Sequence, residues 1–239
     1  IFPLLTYFGW SYVNKTNTGH FVSTSFFGLN LAQNCVYFAE NTTPEYQWIG
    51  TIYAKYRIKN IKENDTIKKD INKHNLAMTI WDAQGELVAN KNNNFPDLSN
   101  DLGKYAIATI KKNKIPYAKQ VIYYSWFDFW KTSIYWNYTE FLVPFSNKVC
   151  LGFWYIQNVL LLFLKFSFLL LCPKYIIEFF KTRKISFEFI TVIIILTTSI
   201  LQALATYGTN NRFSYPFEFL MIIIVLSFIR KYIPQKYLK

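Results

Sequence analysis

The sequence predicts a mainly α-helical, polytopic membrane protein that carries a helical domain outside the membrane. Residues from about 14 to 147 mix charges, amides and aromatic side chains, as a water-facing domain does. From Val149 to Phe228 long runs of Ile, Leu, Val and Phe dominate, and a helix needs about 20 such residues to cross a bilayer. We therefore expect three parts: the end of a transmembrane helix at 1–13, an extracytoplasmic domain at 14–147, and a membrane part at 148–239.

Composition argues against several classes of function. The net charge is +12, but no RNP, zinc-finger or helix-turn-helix pattern accompanies the lysines, so we expect no nucleic acid among the partners. The three cysteines and two histidines have no metal-ligand spacing, so we expect neither a metal site nor a disulfide framework. The first apolar stretch is too short to span a bilayer and begins with Ile, which suggests the C-terminal piece of a longer protein.

Three membrane spans are predicted after the domain. They cover about 149–172, which Pro173 should end, 187–205 and 215–232. Basic residues follow the first and third spans, so the positive-inside rule places both segments in the cytoplasm. The protein would then be a multi-pass protein of the cytoplasmic (inner) membrane, with residues 14–147 outside and the C-terminus inside. Lys165, near the inner end of the first span, is expected to snorkel to the headgroups.

Helical spacing of apolar residues organises the predicted domain. It indicates one helix from Pro44 to Lys59, a second from Thr66 to Asn90, and a third that either Pro96 or Ser99 opens after a turn. His74 lies on the apolar stripe of the second helix and is interpreted as structural. The aromatic segment 117–138 is typical of a helix that lies in the outer membrane face, and a core helix of the domain is the alternative.

The segment "TYGTNNRFSYPFEF", from Thr206 to Phe219, raises the main question about function. Arg212 is its lone basic residue, in a loop between two predicted spans. A guanidinium there suits a lipid phosphate or a pyrophosphate, whereas a snorkelling interfacial arginine is the simpler alternative. No nucleophile elbow, P-loop or dinucleotide fingerprint is present. Asp128, set between two phenylalanines, is either an ordinary polar-face residue or a carboxylate that binds a partner.

Two stretches resemble bacterial membrane glycosyltransferases of the GT-C class, which include relatives of the protein O-mannosyltransferases and the aminoarabinose transferases. "NNRFSYPFEFLMIIIVL" is similar to their final loop and helix, and "GWSYVNKTNTGHFVSTSFFGLNL" looks like the segment where a helix exits outward. The resemblance implies transfer of a sugar from a polyprenyl-phosphate carrier to a glycan, lipid or protein acceptor outside the membrane.

The resemblance also implies roles for particular residues. Arg212 would contact the carrier phosphate with Asn211 and Tyr215 as neighbours, and His20 and Asn30 would lie near the substrate cavity. The catalytic carboxylate of these enzymes lies in their first outer loop, so we expect it upstream and assign no catalytic residue here. The lipid-linked sugar is the donor, no cofactor or metal ligand is assigned, and the need for a divalent metal stays open.

Three other functions fit parts of the sequence. A non-enzymatic sensor or membrane-anchored binding domain needs only the spans and the outer domain. A transporter of lipid-linked sugar predicts broken spans and charges inside the membrane. A glycan polymerase or ligase shares the carrier but not the loop motif.

Overall fold

The computed structural model describes residues 2–66, 76–92, 94–132, 142–143, 145–208 and 210–231, and within these ranges the chain is helical without strands. The α-helices are α1 Phe2–Thr18, α2 Phe27–Gln33, α3 Gln47–Thr66, α4 Thr79–Asp82, α5 Gln84–Lys91, α6 Phe95–Lys112, α7 Lys114–Lys119, α8 Phe127–Trp130, α9 Ser146–Thr182, α10 Phe187–Ala205 and α11 Asn211–Arg230. Short 3₁₀ turns cover Val36–Phe38, Pro44–Tyr46 and Leu76–Met78, and Gln120–Trp126 is π-helical.

The chain divides into two compact units, and each is described by itself. The first comprises Ile1–Ser125 with Ala203–Gly208, and the second comprises Trp126–Gln202 with Thr209–Lys239.

The core of the first unit forms where α2 crosses α6. Gly28 on α2 lies so close to Ser99 on α6 that an added Cβ would collide with the Ser99 carbonyl oxygen. The Gly28 N–H donates to Ser99 Oγ at 3.2 Å, which fixes this contact. Fully buried side chains then fill the space between these helices and α3, among them Leu29, Tyr53 and Tyr105. The glycine is therefore needed because only a residue without a side chain lets the two backbones approach this closely.

The predicted domain helices are found with changed boundaries. The helix expected at Pro44–Lys59 begins as a 3₁₀ turn and continues as α3 to Thr66. Where one helix was expected over Thr66–Asn90, the structure has α4 and α5, and residues 67–75, which include His74, lie outside the described residues. α6 begins at Phe95 because the Asn94 side chain caps it and accepts from the Asp97 N–H at 2.9 Å.

Among the described residues, three helices are long and apolar enough to cross a membrane: α9, α10 and α11. α10 has the bounds expected from the sequence, but α9 does not end before Pro173. It continues through this proline to Thr182, where Arg183 closes it with a left-handed φ of 56°. A proline removes one backbone hydrogen bond, and apolar spans tolerate this loss more readily than water-exposed helices do because neighbouring groups compensate.

The aromatic segment, expected as a helix over 117–138, is helical without a break from Lys114 to Trp130, as α7, the π-helical turns Gln120–Trp126 and α8 in succession. The helix ends at Trp130, and residues 133–141 lie outside the described residues. Within the second unit, Phe129 and Trp130 are buried and pack with Phe168 of α9 and with α11 side chains. The core that they join is that of the second unit, which contains nearly all of the three candidate membrane spans, and it is not the domain core that the sequence-based alternative named.

Candidate functional site

Arg212 does not lie in a loop in the structure, because α11 already begins at Asn211. Two groups of the second unit hold this helix start. The Asn210 N–H donates to Asp128 Oδ2 at 2.7 Å, and Asn211 Nδ2 donates to the Thr132 carbonyl at 2.7 Å. A carboxylate suits this position because the first backbone N–H groups of a helix lack partners and carry partial positive charge.

Lys165 of α9 is buried against the first turns of α11 and does not snorkel, so the sequence-based expectation was wrong. Its side chain is 1% exposed, and its Nζ lies 2.9 Å from Glu218 Oε1. The same ammonium donates to Ser214 Oγ at 2.7 Å and to the Lys131 carbonyl at 2.6 Å. An ammonium has three protons, and these three acceptors match them.

The polar groups around Lys165 form one connected cluster, which we call the 165–218 cluster: Asp128, Lys131, Lys165, Asn211, Ser214 and Glu218. Lys131 Nζ lies 3.1 Å from Asp128 Oδ1, so two basic and two acidic side chains balance. Ser214 Oγ, which accepts from Lys165, donates to the Asn211 carbonyl at 2.6 Å and so links Asn211 to Lys165. Charge balance explains how these groups are tolerated between apolar helices, since an unpaired buried charge is costly.

Arg212 and Tyr215 lie on a different face of the same helix start and are exposed. Tyr215 is 68% exposed, and the Arg212 guanidinium lies 4.9 Å from the ring of Phe213. Among the described residues, no carboxylate lies within ion-pair distance of Arg212. Residues three apart share a helix face, so the guanidinium and the phenol are available to one ligand. The structure thus places Asn211, Arg212 and Tyr215 together at the start of α11. The Asn211 side chain is already bonded to the Thr132 carbonyl, whereas those of Arg212 and Tyr215 are exposed.

His20 and Asn30 belong to the first unit. His20 Nε2 lies 2.8 Å from Asp97 Oδ1 of α6, and His20 is a wall residue of a cavity of about 160 Å³. Asn30 is half-buried in α2, where its backbone N–H donates to the Phe26 carbonyl at 3.0 Å. His20 lines this cavity and Asn30 does not, and the substrate-binding roles that the resemblance implies for both residues stay predictions.

Sequence reasoning missed Ser214 and Glu218 as functional candidates and misjudged Lys165. The signal was present, because Lys165 and Glu218 are opposite charges in two apolar helices, and charged residues in such helices usually pair with one another. Ser214 and Glu218 are also spaced by four residues, which places them on one helix face. What the sequence could not supply was the register that brings Lys165 beside them.

The described residues offer no metal centre, since no group of three or more His, Cys, Asp or Glu side chains comes together among them. Cys35, Cys150 and Cys172 are free thiols. Burial raises the pKa of the Cys35 thiol well above its ordinary range, so it is a packing residue of the first core and unsuited to nucleophilic chemistry.

Comparison of the chain with protein-family models, with curated proteins and with solved structures found no match. The functional argument therefore rests on the residues and their geometry.

Proposed function

We propose that this chain is a membrane glycosyltransferase component that holds a polyprenyl-phosphate-linked sugar at Arg212, for transfer to an acceptor outside the cytoplasmic membrane. The observation that carries the proposal is the exposed guanidinium of Arg212, which meets no carboxylate of the described chain and lies on a helix start that the 165–218 cluster anchors. A fixed cation with free N–H donors is the group that a phosphate ligand requires.

The topology follows from the charges at the helix ends. α9 is followed by Arg183 and Lys184, and α11 ends at Arg230 and Lys231. The positive-inside rule places these ends in the cytoplasm, so the Asn211 end of α11 faces the opposite side. The proposed carrier site then lies at the outer membrane surface, where a lipid-linked phosphate resides.

The chemistry asked of this site is electrostatic. When a sugar leaves a polyprenyl phosphate, negative charge builds up on the phosphate oxygens, and a cation already in place stabilises that charge without rearranging. The positive end of the α11 dipole adds to Arg212, and the Tyr215 hydroxyl is a further hydrogen-bond donor on the same face. The acid or base for the transfer itself is not assigned to any residue here.

The test is carrier binding by the purified chain in nanodiscs. Arg212→Ala should weaken binding of a polyprenyl phosphate about tenfold or more, because it removes charge-assisted hydrogen bonds. Arg212→Lys should lose less. Arg230→Ala, at the other end of the same helix, is the matched control and should bind as the unmodified chain does. Polyprenol of equal length, which lacks the phosphate, should not distinguish the variants. Equal binding by Arg212→Ala and Arg230→Ala would contradict the proposal and favour a binding or sensor domain.

A transporter of lipid-linked sugar is the second candidate, because the Lys165–Glu218 pair supplies the charges between apolar helices that this function predicts. Proteoliposomes that contain a fluorescent lipid-linked sugar distinguish the two. Movement of the lipid between leaflets without an acceptor supports transport, whereas product that forms only with an added acceptor supports transfer.

A further inference from the structure

The cavity beside His20 in the first unit has features of a ligand site that is separate from the carrier site at Arg212. Its volume is about 160 Å³. Since one water occupies roughly 30 Å³ in the liquid, this is room for about five heavy atoms.

The walls of this cavity are held in place by hydrogen bonds at both sides. Asn14 Nδ2 donates to the Val22 carbonyl at 2.8 Å, and Trp10 Nε1 donates to the Ser23 carbonyl at 3.0 Å, which fixes the chain after α1. His20 ties the same stretch to Asp97 of α6. The opposite wall is the α2–α6 crossing described above. The cavity is therefore preformed, as small-molecule sites usually are.

The lining is largely apolar, but one cation stands at its edge. Val22, Phe27, Pro96 and Ile107 supply apolar wall surface. Lys104 of α6 lines the cavity and is exposed, and no described carboxylate lies within ion-pair distance of its ammonium. The other basic residue of the lining, His20, hydrogen-bonds to Asp97, so Lys104 is the lining residue available to a negatively charged ligand group.

We propose that this cavity binds a small apolar carboxylate, with its hydrocarbon part against Phe27 and Ile107 and its carboxylate at Lys104. A single lysine balances a single negative charge, which favours a carboxylate over a phosphate dianion. An apolar body of about five heavy atoms fills the volume. The inference does not depend on the carrier site at Arg212, because it uses residues of the first unit alone.

Ligand-observed NMR on the full chain in nanodiscs tests the proposal with hexanoate, hexan-1-ol and hexylamine, against empty nanodiscs. Hexanoate should bind saturably and at least tenfold more tightly than the other two. Lys104→Met keeps the aliphatic stem and should remove that preference, whereas Lys114→Met, which alters an exposed lysine of α7, should keep it. Ile107→Trp should fill the cavity and abolish hexanoate binding.

Equal binding of the three ligands, or identical behaviour of Lys104→Met and Lys114→Met, would overturn the proposal. Because Lys104 and Ile107 are both partly or fully exposed, their variants should fold, and a far-UV spectrum of each variant checks this.

Discussion

At the residue scale, Lys165 determines how the start of α11 is held. Its three hydrogen bonds run to α11 twice and to the residue after α8 once. The backbone of Asn211 is connected to it through Ser214, and Arg212 is the next residue. A change at Lys165 should therefore affect both the stability of the second unit and the geometry around Arg212.

Removing one member of the Lys165–Glu218 pair should destabilise the second unit, and removing the charge of both members should restore part of the lost stability. Lys165→Met leaves a buried carboxylate without its cation and should destabilise the second unit by about 3–5 kcal/mol. Glu218→Gln added to Lys165→Met should recover part of this loss, because the buried charge is then gone. Thermal unfolding in nanodiscs measures the difference. Lys174→Met on the same helix is the control, since Lys174 Nζ lies over the Phe228 ring and is not part of a buried ion pair with a carboxylate of the described residues. A double variant no better than Lys165→Met would contradict this account.

The Glu40–Arg57 contact gives the first unit a pH dependence. The guanidinium makes two 2.9 Å bonds to the Glu40 carboxylate, and these bonds lower the pKa of Glu40 below its ordinary value. A lowered folded-state pKa means that the contact stabilises the fold above the ordinary pKa and that this stabilisation is lost as pH falls through the folded value. Since Glu40 is half exposed, the contact contributes about 1 kcal/mol or less to the free energy of unfolding.

Arg57→Ala should therefore reduce stability at neutral pH and flatten its decline in acid. Thermal unfolding, followed from neutral pH to about pH 3 in both chains, measures the difference between them. Lys59→Ala disrupts a looser, exposed pair with Glu63 and serves as the control. A constant gap between Arg57→Ala and the unmodified chain at every pH would show that the contact does not titrate.

At the element scale, α9 and α11 run in the same direction with a register that the sequence did not reveal. Lys165 lies beside Ser214 and Glu218, and Lys174 lies beside Phe228. Asn211, where α11 begins, is then level with about residue 160 of α9, so the first four turns of α9 extend roughly 20 Å further. Trp154 and Tyr155 lie in this extension, and such residues favour the membrane interface.

This register moves the part of α9 that would cross a membrane away from the sequence-based span of 149–172. If α10 and α11 define the hydrocarbon layer, Ile156 lies outside it and Ile177 inside it, although the sequence-based span implies the reverse. Both side chains are more than half exposed in the structure and are suitable spin-label positions. Nitroxides at Ile156→Cys and Ile177→Cys in nanodiscs, with Cys150 and Cys172 replaced, should contact water-soluble and membrane-soluble relaxation agents respectively. The opposite pattern would contradict this placement and support the sequence-based span 149–172.

Apolar periodicity and turn residues predicted the positions of individual helices. Helix ends that depend on contacts between residues far apart in the sequence could not be predicted in this way. α10 was predictable because its apolar run is bounded by polar segments at both ends, and α6 because Pro96 lies in its first turn, whereas its Asn94 cap was not recognised. α11 begins earlier than the apolar run because Asp128 and Thr132, about 80 residues away, hold its polar first turn. The end of α9 was misplaced because Pro173 was expected to end the helix, as a proline does in a water-exposed helix, whereas this apolar helix continues through it.

At the scale of the whole molecule, the chain combines two units with different compositions and different cores. The first has a buried core of aliphatic and tyrosine side chains, with polar groups such as Tyr105 bonded to backbone carbonyls. The second consists largely of helices whose exposed surface is apolar, which suits lipid and not water. We propose that the second unit anchors the chain and presents Arg212 at the outer surface.

The sidedness of the two ends of α11 tests this account most directly. In a chain whose native cysteines are replaced, Arg212→Cys and Arg230→Cys are labelled with a membrane-impermeant maleimide, first in intact cells and then in opened membranes. The account predicts that the cysteine at position 212 is labelled in intact cells and that the one at position 230 is labelled only after opening. Labelling of both positions from one side, or of position 230 alone in intact cells, would contradict it.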